Sequence, residues 1–137
     1  MSMNFYLQAP EGVLEEVYPD VDMSLNEMYP SLGEYFDEMS DNEHVESGHF
    51  FTHDKGWCTT TSTVPTVNMS NSNMMYVLKE ILGLNMVTGD YCGDLEDLRM
   101  VRASLMLHNV PNCYYGIPRT LELVNLAIEN NWSIYYA

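Results

Sequence analysis

The chain has 137 residues, 46% hydrophobic and 12% aromatic, with 20 acidic against five basic side chains and a formal net charge of −15. A chain of that size and apolar content can bury roughly two thirds of its unfolded surface, which excludes disorder of the whole chain despite its charge. The same charge excludes direct binding to nucleic acid or to an anionic membrane, and it favours basic partners.

The charge is segregated. Residues 1–54 hold 13 acids and no Lys or Arg, the first base being Lys55; the other 83 residues hold seven acids and five bases, a net of −2. One domain of 137 residues is expected, with an acidic N-terminal half (1–54) packed on a helical C-terminal half (65–137). There is no basic leader followed by an apolar run at the N-terminus and no stretch of the ~18 apolar residues that a spanning helix needs. Cys58, Cys92 and Cys113 are odd in number and lie in no Cys-x-x-Cys spacing. Reduced thiols in a cytoplasmic protein are therefore expected, or in host cytoplasm if the source is viral.

In chain order, Met3 to Gln8 reads as a strand with Phe5 and Leu7 on one face and Asn4, Tyr6 and Gln8 on the other. Val13 to Tyr18 reads as a helical turn or a strand; Val13, Leu14 and Val17 share a helical face, and Pro19 stops it. Asp20 to Ser24 begins like a calcium loop. However, Leu25 stands where such a loop needs Gly and Ser31 where it needs a bidentate Glu, so no calcium is expected.

Ser31 to Ser40 is the clearest signal in the acidic half. Ser31 and Glu34 form a capping box, and Leu32, Tyr35, Phe36 and Met39 recur at the spacing of a buried helical stripe. Glu34, Asp37, Glu38 and Asp41 recur on another face. Like charges three and four residues apart weaken a helix by a few tenths of a kcal/mol per pair, and Asp41 sits at the unfavourable end of the helix dipole. Such a row costs stability that mixed charges would not cost. A generic solvated surface accounts for it; so does a surface built to meet positive charge.

Residues 48–64 read as a β-hairpin, turning at His53-Asp54-Lys55-Gly56 and continuing through Trp57 and the Thr-rich run to Val64. Asn68 to Gly83 reads as a helix over 71–82, capped by Ser70 or Asn71, with Met74, Val77, Leu78, Ile81 and Leu82 inward and Gly83 closing it in the left-handed conformation. Residues 94–108 read as a helix capped by Asp94, with Asp97 at N3 and Leu95, Leu98, Val101, Leu105 and Met106 inward. Residues 118–130 read as a further helix, with Pro118 in its first turn, and Trp132 to Tyr136 as a final strand. The fold class expected is α+β: a small, mostly antiparallel sheet with three to four helices, at about 31–40, 71–82, 94–108 and 118–130.

No arrangement of catalytic residues stands out. His44, His49, His53 and Cys58 are close in sequence, but His49 and His53 on one strand lie ~13 Å apart at ~3.3 Å per residue and cannot share an ion. No metal and no cofactor are expected. A thiol–imidazole pair of Cys58 and His53 lacks an orienting third group. Cys92 stands before a predicted helix, whose dipole could lower its pKa. Lys55, Lys79, Arg99, Arg102 and Arg119 are too few and too dispersed for a phosphate-binding surface.

The acidic row remains. Carboxylates at i, i+3 and i+4 stand ~5–6 Å apart on a helix, a spacing comparable to that of neighbouring phosphates along a nucleic-acid strand. Tyr and Met side chains interleave with them, as in protein interfaces with a polar rim. In size, charge and lack of a catalytic motif the chain is similar to small acidic bacteriophage proteins that block host nucleases by occupying their nucleic-acid sites. That resemblance implies a non-enzymatic, DNA-mimicking inhibitor of a host defence nuclease, docking on a basic protein surface. The residues expected to carry such docking are Glu34, Asp37, Glu38 and Asp41, within a field of Glu15, Glu16, Asp20, Asp22, Glu43 and Glu46. The alternative is a small-ligand-binding or hydrolytic domain around His49, His53, Trp57 and Cys58, near Asp90 to Gly93. Homo-oligomerisation is a third reading.

Overall fold

A computed structural model describes residues 2–19, 34, 50–53, 56–59, 64–85 and 92–137. Backbone contacts group the chain into two compact units, Met1–Phe5 with Val67–Ala137, and Tyr6–Thr66. The strand β1 (Ser2–Ala9) runs through both. The class is α+β, and the strand pairs of known register are antiparallel.

In the first unit, β4 (Thr66–Ser70) pairs with β1. Asn68 reinforces the pair, its Nδ2 donating to Asn4 Oδ1 at 2.9 Å. β5 (Gly93–Leu95) pairs with β6 (Ser133–Tyr136) in the register Gly93↔Tyr136, Asp94↔Tyr135, Leu95↔Ile134. β6 lies between β5 and β1. Asn4 and Ala137 exchange both backbone hydrogen bonds, at 2.7 and 3.0 Å, and such reciprocal exchange is the mark of an antiparallel pair.

The first helix of this unit begins as an α-helix at Asn71–Met75 and continues as a π-helix over Tyr76–Ile81; together they are called α2. Ser70 caps it, Oγ accepting from the Asn73 N–H at 3.3 Å. Met74, Val77, Leu78 and Ile81 are buried as expected. Gly83 at φ 67 lets the chain turn back, and the Leu84 N–H reaches the Leu78 carbonyl at 2.9 Å. The segment Thr66–Ser70 is a strand, and the helix starts only at Asn71.

α3 is Leu98–His108 and α4 is Gly116–Asn130. Two expectations for α3 fail, one at each end. Asp94 does not cap it, because Gly93–Leu95 is hydrogen-bonded to β6 instead, and Leu95 is buried as a strand residue. The cap is Asp97, at φ 49, its Oδ1 accepting from the Met100 N–H at 3.4 Å. Met106, expected inward, is 60% exposed. α4 buries Gly116, Ile117, Thr120, Leu123, Val124 and Ala127. Thr120 meets the hydrogen-bond requirement of a buried hydroxyl by donating to the Gly116 carbonyl at 2.6 Å. Asn131 ends the helix in the left-handed conformation, φ 57.

In the second unit, the end of β1 pairs with β3 (Gly56–Thr59) at Gln8↔Cys58 and Ala9↔Trp57. β3 pairs with β2 (Phe50–His53), closing at His53↔Gly56. The short helix α1 is Val13–Val17. It buries Leu14 but leaves Val17 half exposed. The alternation expected of β1 is absent in its second half: Tyr6 and Gln8 are as buried as Phe5 and Leu7. The predicted helix at 31–40 lies outside the described residues except for Glu34, which is helical and exposed. The hairpin ends at 48–49 and 60–63 also lie outside them.

Gly93 shows how tightly β5 and β6 meet. A Cβ there would come within 2.9 Å of the Tyr136 hydroxyl. Gly93→Ala must displace the Tyr136 ring, and overpacking of this kind costs ~1–3 kcal/mol. Urea denaturation should show a loss in that range with an unchanged m-value; an unchanged midpoint would mean that Tyr136 moves freely.

Candidate functional site

The sequence directs attention to the carboxylates of the second unit. Three of the ten expected docking residues are described. α1 carries Glu15 and Glu16 in its first turn, behind a Gly12 N-cap at φ 88. No side chain caps this helix; the Val13 N–H donates to the Pro10 carbonyl at 3.1 Å, and the helix dipole favours an acidic side chain in the first turn. Glu16 is exposed and Glu15 half-buried. Glu15 Oε2 is shielded from solvent and has no hydrogen-bond partner. Glu34 is exposed on a helical turn. Asp20, Asp22, Asp37, Glu38, Asp41, Glu43 and Glu46 lie outside the described residues, as does the calcium-like stretch Asp20 to Ser24.

The hairpin alternative gains no chemistry from the register. Cys58 pairs with Phe51 on one side and Gln8 on the other, whereas His53 pairs with Gly56, so the thiol and imidazole residues are not directly opposed. His44, His49 and Asp90 lie outside the described residues. Cys92 is exposed and precedes a strand; the expected helix N-terminus is not there. Among the described residues, no three His, Cys, Asp or Glu side chains come together as metal ligands.

A pocket of about 250 Å³ opens in the first unit between the start of α3 and the end of α4, lined by Asp97, Leu98, Arg99, Ala127, Ile128, Asn131 and Trp132. It falls short of the ~300–1,000 Å³ of small-molecule sites, and the Asp97 carboxylate is already engaged as the α3 cap. Tyr114 lies at the α3–α4 turn, its ring centroid 4.5 Å from that of Tyr115. Burial, then Tyr115, pushes its phenol above the usual range, away from acid–base work near neutral pH.

The structure also exposes a feature the sequence reading passed over. Met100, Met106, Leu107 and Val110 are 55–80% exposed. The signal was present: between Leu98 and Leu107 only Arg99, Arg102 and Ser104 are polar, and a helix apolar on most sides has more than one face to cover.

The chain matches no protein-family model, no curated protein and no solved structure in the three comparisons made. Among the described residues no helix is long and apolar enough to cross a membrane.

Glu15 gives a direct test of whether this helix is shaped for packing or for charge. Replacing a buried, unpartnered oxygen with an apolar group removes a desolvation penalty of ~1–3 kcal/mol. Glu15→Met should therefore stabilise the protein in thermal denaturation. A lowered midpoint would show that the carboxylate contributes to the fold.

Proposed function

We propose that the protein is a non-enzymatic binding protein whose acidic N-terminal part docks on a basic protein surface. In its most concrete form it is a nucleic-acid mimic that occupies the binding groove of a nuclease or another nucleic-acid-binding protein, as a bacteriophage-type inhibitor of host defence would. The observation that carries the reading is the segregation of charge: 13 acids and no base in residues 1–54. A random scatter of five bases would not leave the first two fifths of a chain empty of them so readily as a surface under selection for negative potential. The exposure of Glu16 and Glu34 agrees with such a surface, and so does the placement of Glu16 in the first turn of a helix.

The mechanism is electrostatic. A negative field steers a basic groove into encounter, and carboxylates then replace the phosphates that the groove was built to hold. Tyr and Met side chains of the same stretch outside the apolar stripe of 31–40, such as Met23, Met28 and Tyr29, supply the contact that charge alone does not. Binding of this kind weakens as salt rises.

Capture from bacterial lysate at ~50 mM and ~500 mM salt tests the proposal. A nucleic-acid-binding protein should be retained at low salt, released at high salt and displaced by duplex DNA. The variant with Lys at Glu34, Asp37, Glu38 and Asp41 should retain at least tenfold less of it. Equal retention by the variant, or no competition from DNA, rejects the assignment.

A further inference from the structure

We infer that the outward face of α3 is a self-association surface, on which a second copy of this chain seats its own α3 in antiparallel fashion with Ala103 at the crossing. This inference is independent of the acidic surface and survives or fails without it.

The helix geometry sets out the face. Val101 and Leu105 are the buried residues of α3. At about 100° per residue, the side directly opposite them is centred on Ala103, with Met100 and Leu107 to one side and Met106 and Arg99 to the other. Ala103 is itself exposed. Met100 is 68%, Met106 60% and Leu107 80% exposed. The solvent side of this helix is thus more apolar than a helix needs for packing on one neighbour.

The pattern is self-complementary. In an antiparallel pair crossing at Ala103, Met100 of one copy meets Leu107 of the other along one side, and Met106 meets the aliphatic stem of Arg99 along the other. A small residue at the crossing lets two helices approach to ~8 Å between axes. With Val110, which is 55% exposed, the face offers on the order of 500 Å² of apolar surface per copy, within the range of functional patches. Two copies together bury about 1,000 Å², the threshold of a specific interface.

Electrostatics selects the same face. Two molecules of net charge −15 repel wherever carboxylates face one another. From Leu98 to Leu121 the chain has no Asp or Glu and carries Arg99, Arg102 and Arg119. Among the described residues, neither Arg99 nor Arg102 forms an ion pair. This is the stretch across which two acidic copies meet with the least repulsion, and its unpaired guanidiniums sit in the negative field of the opposite copy.

Sedimentation equilibrium tests the inference on the full chain. At ~150 mM salt the average mass should rise from one chain toward two between about 1 µM and about 500 µM, as for a minimal interface. The dimer should strengthen between ~20 mM and ~300 mM salt as mutual repulsion is screened, opposite to the salt response of the acidic surface. Leu107→Asp with Met100→Asp, both at exposed positions, places like charges against each other across the crossing; the variant should keep its circular dichroism and remain monomeric. Ala103→Cys should form a disulfide between the two introduced thiols under mild oxidation, at least tenfold faster than Glu129→Cys, as peptide mapping would show. Mass constant at one chain throughout, a dimer untouched by the double variant, or equal cross-linking at the two positions overturns the inference.

Discussion

The first unit depends on β6 having no free edge and little exposed side-chain surface. It is hydrogen-bonded to β5 along one edge and meets β1 at Asn4 and Ala137 along the other. Ile134, Tyr135 and Tyr136 are all buried. A strand without an exposed row of backbone groups cannot template association with other chains, and its backbone polar groups are paired, as burial requires. The crowding at Gly93 follows from this arrangement. So does the failure of the predicted helix to start at Asp94, because residues 93–95 are needed as the outer strand. Once they are used in the sheet, Asp97 is the next residue able to cap α3.

Where a cap and a stripe coincide among the described residues, as in α2, the helix was legible in the sequence. Ser70, the stripe Met74–Ile81 and Gly83 define α2 from local chemistry alone, and Asn131 ends α4 as expected. What sequence periodicity could not show was long-range pairing. Thr66–Ser70 contains polar and Met residues that suit a helix entry as well as a strand; the decision lies with β1, some 60 residues earlier. The same holds for Gln8, which is 1% exposed although its side chain marks a solvent face. The π-helical turn at Tyr76–Ile81 left no pattern, since one extra residue per turn shifts the stripe by less than its own width. Of the expected docking surface, Glu16 and Glu34 are exposed and Glu15 is half-buried, and the reading of the others rests on sequence spacing.

The two surfaces of interest are opposite in character. Residues 1–54 concentrate carboxylates, whereas residues 98–121 contain none. Interactions of clustered charge reach far and are attenuated by salt, whereas those of apolar side chains act at contact through dispersion and desolvation.

The Asn4–Ala137 pair joins residues 133 positions apart. Closing a loop of that length costs roughly 4 kcal/mol in chain entropy, to be recovered only when β6 is buried. The core of the first unit is therefore assembled late. While the polypeptide is being synthesised, β1 waits unpaired on this edge until residues 133–137 emerge, and the apolar run Phe5–Leu7 stays open to mispairing during that interval.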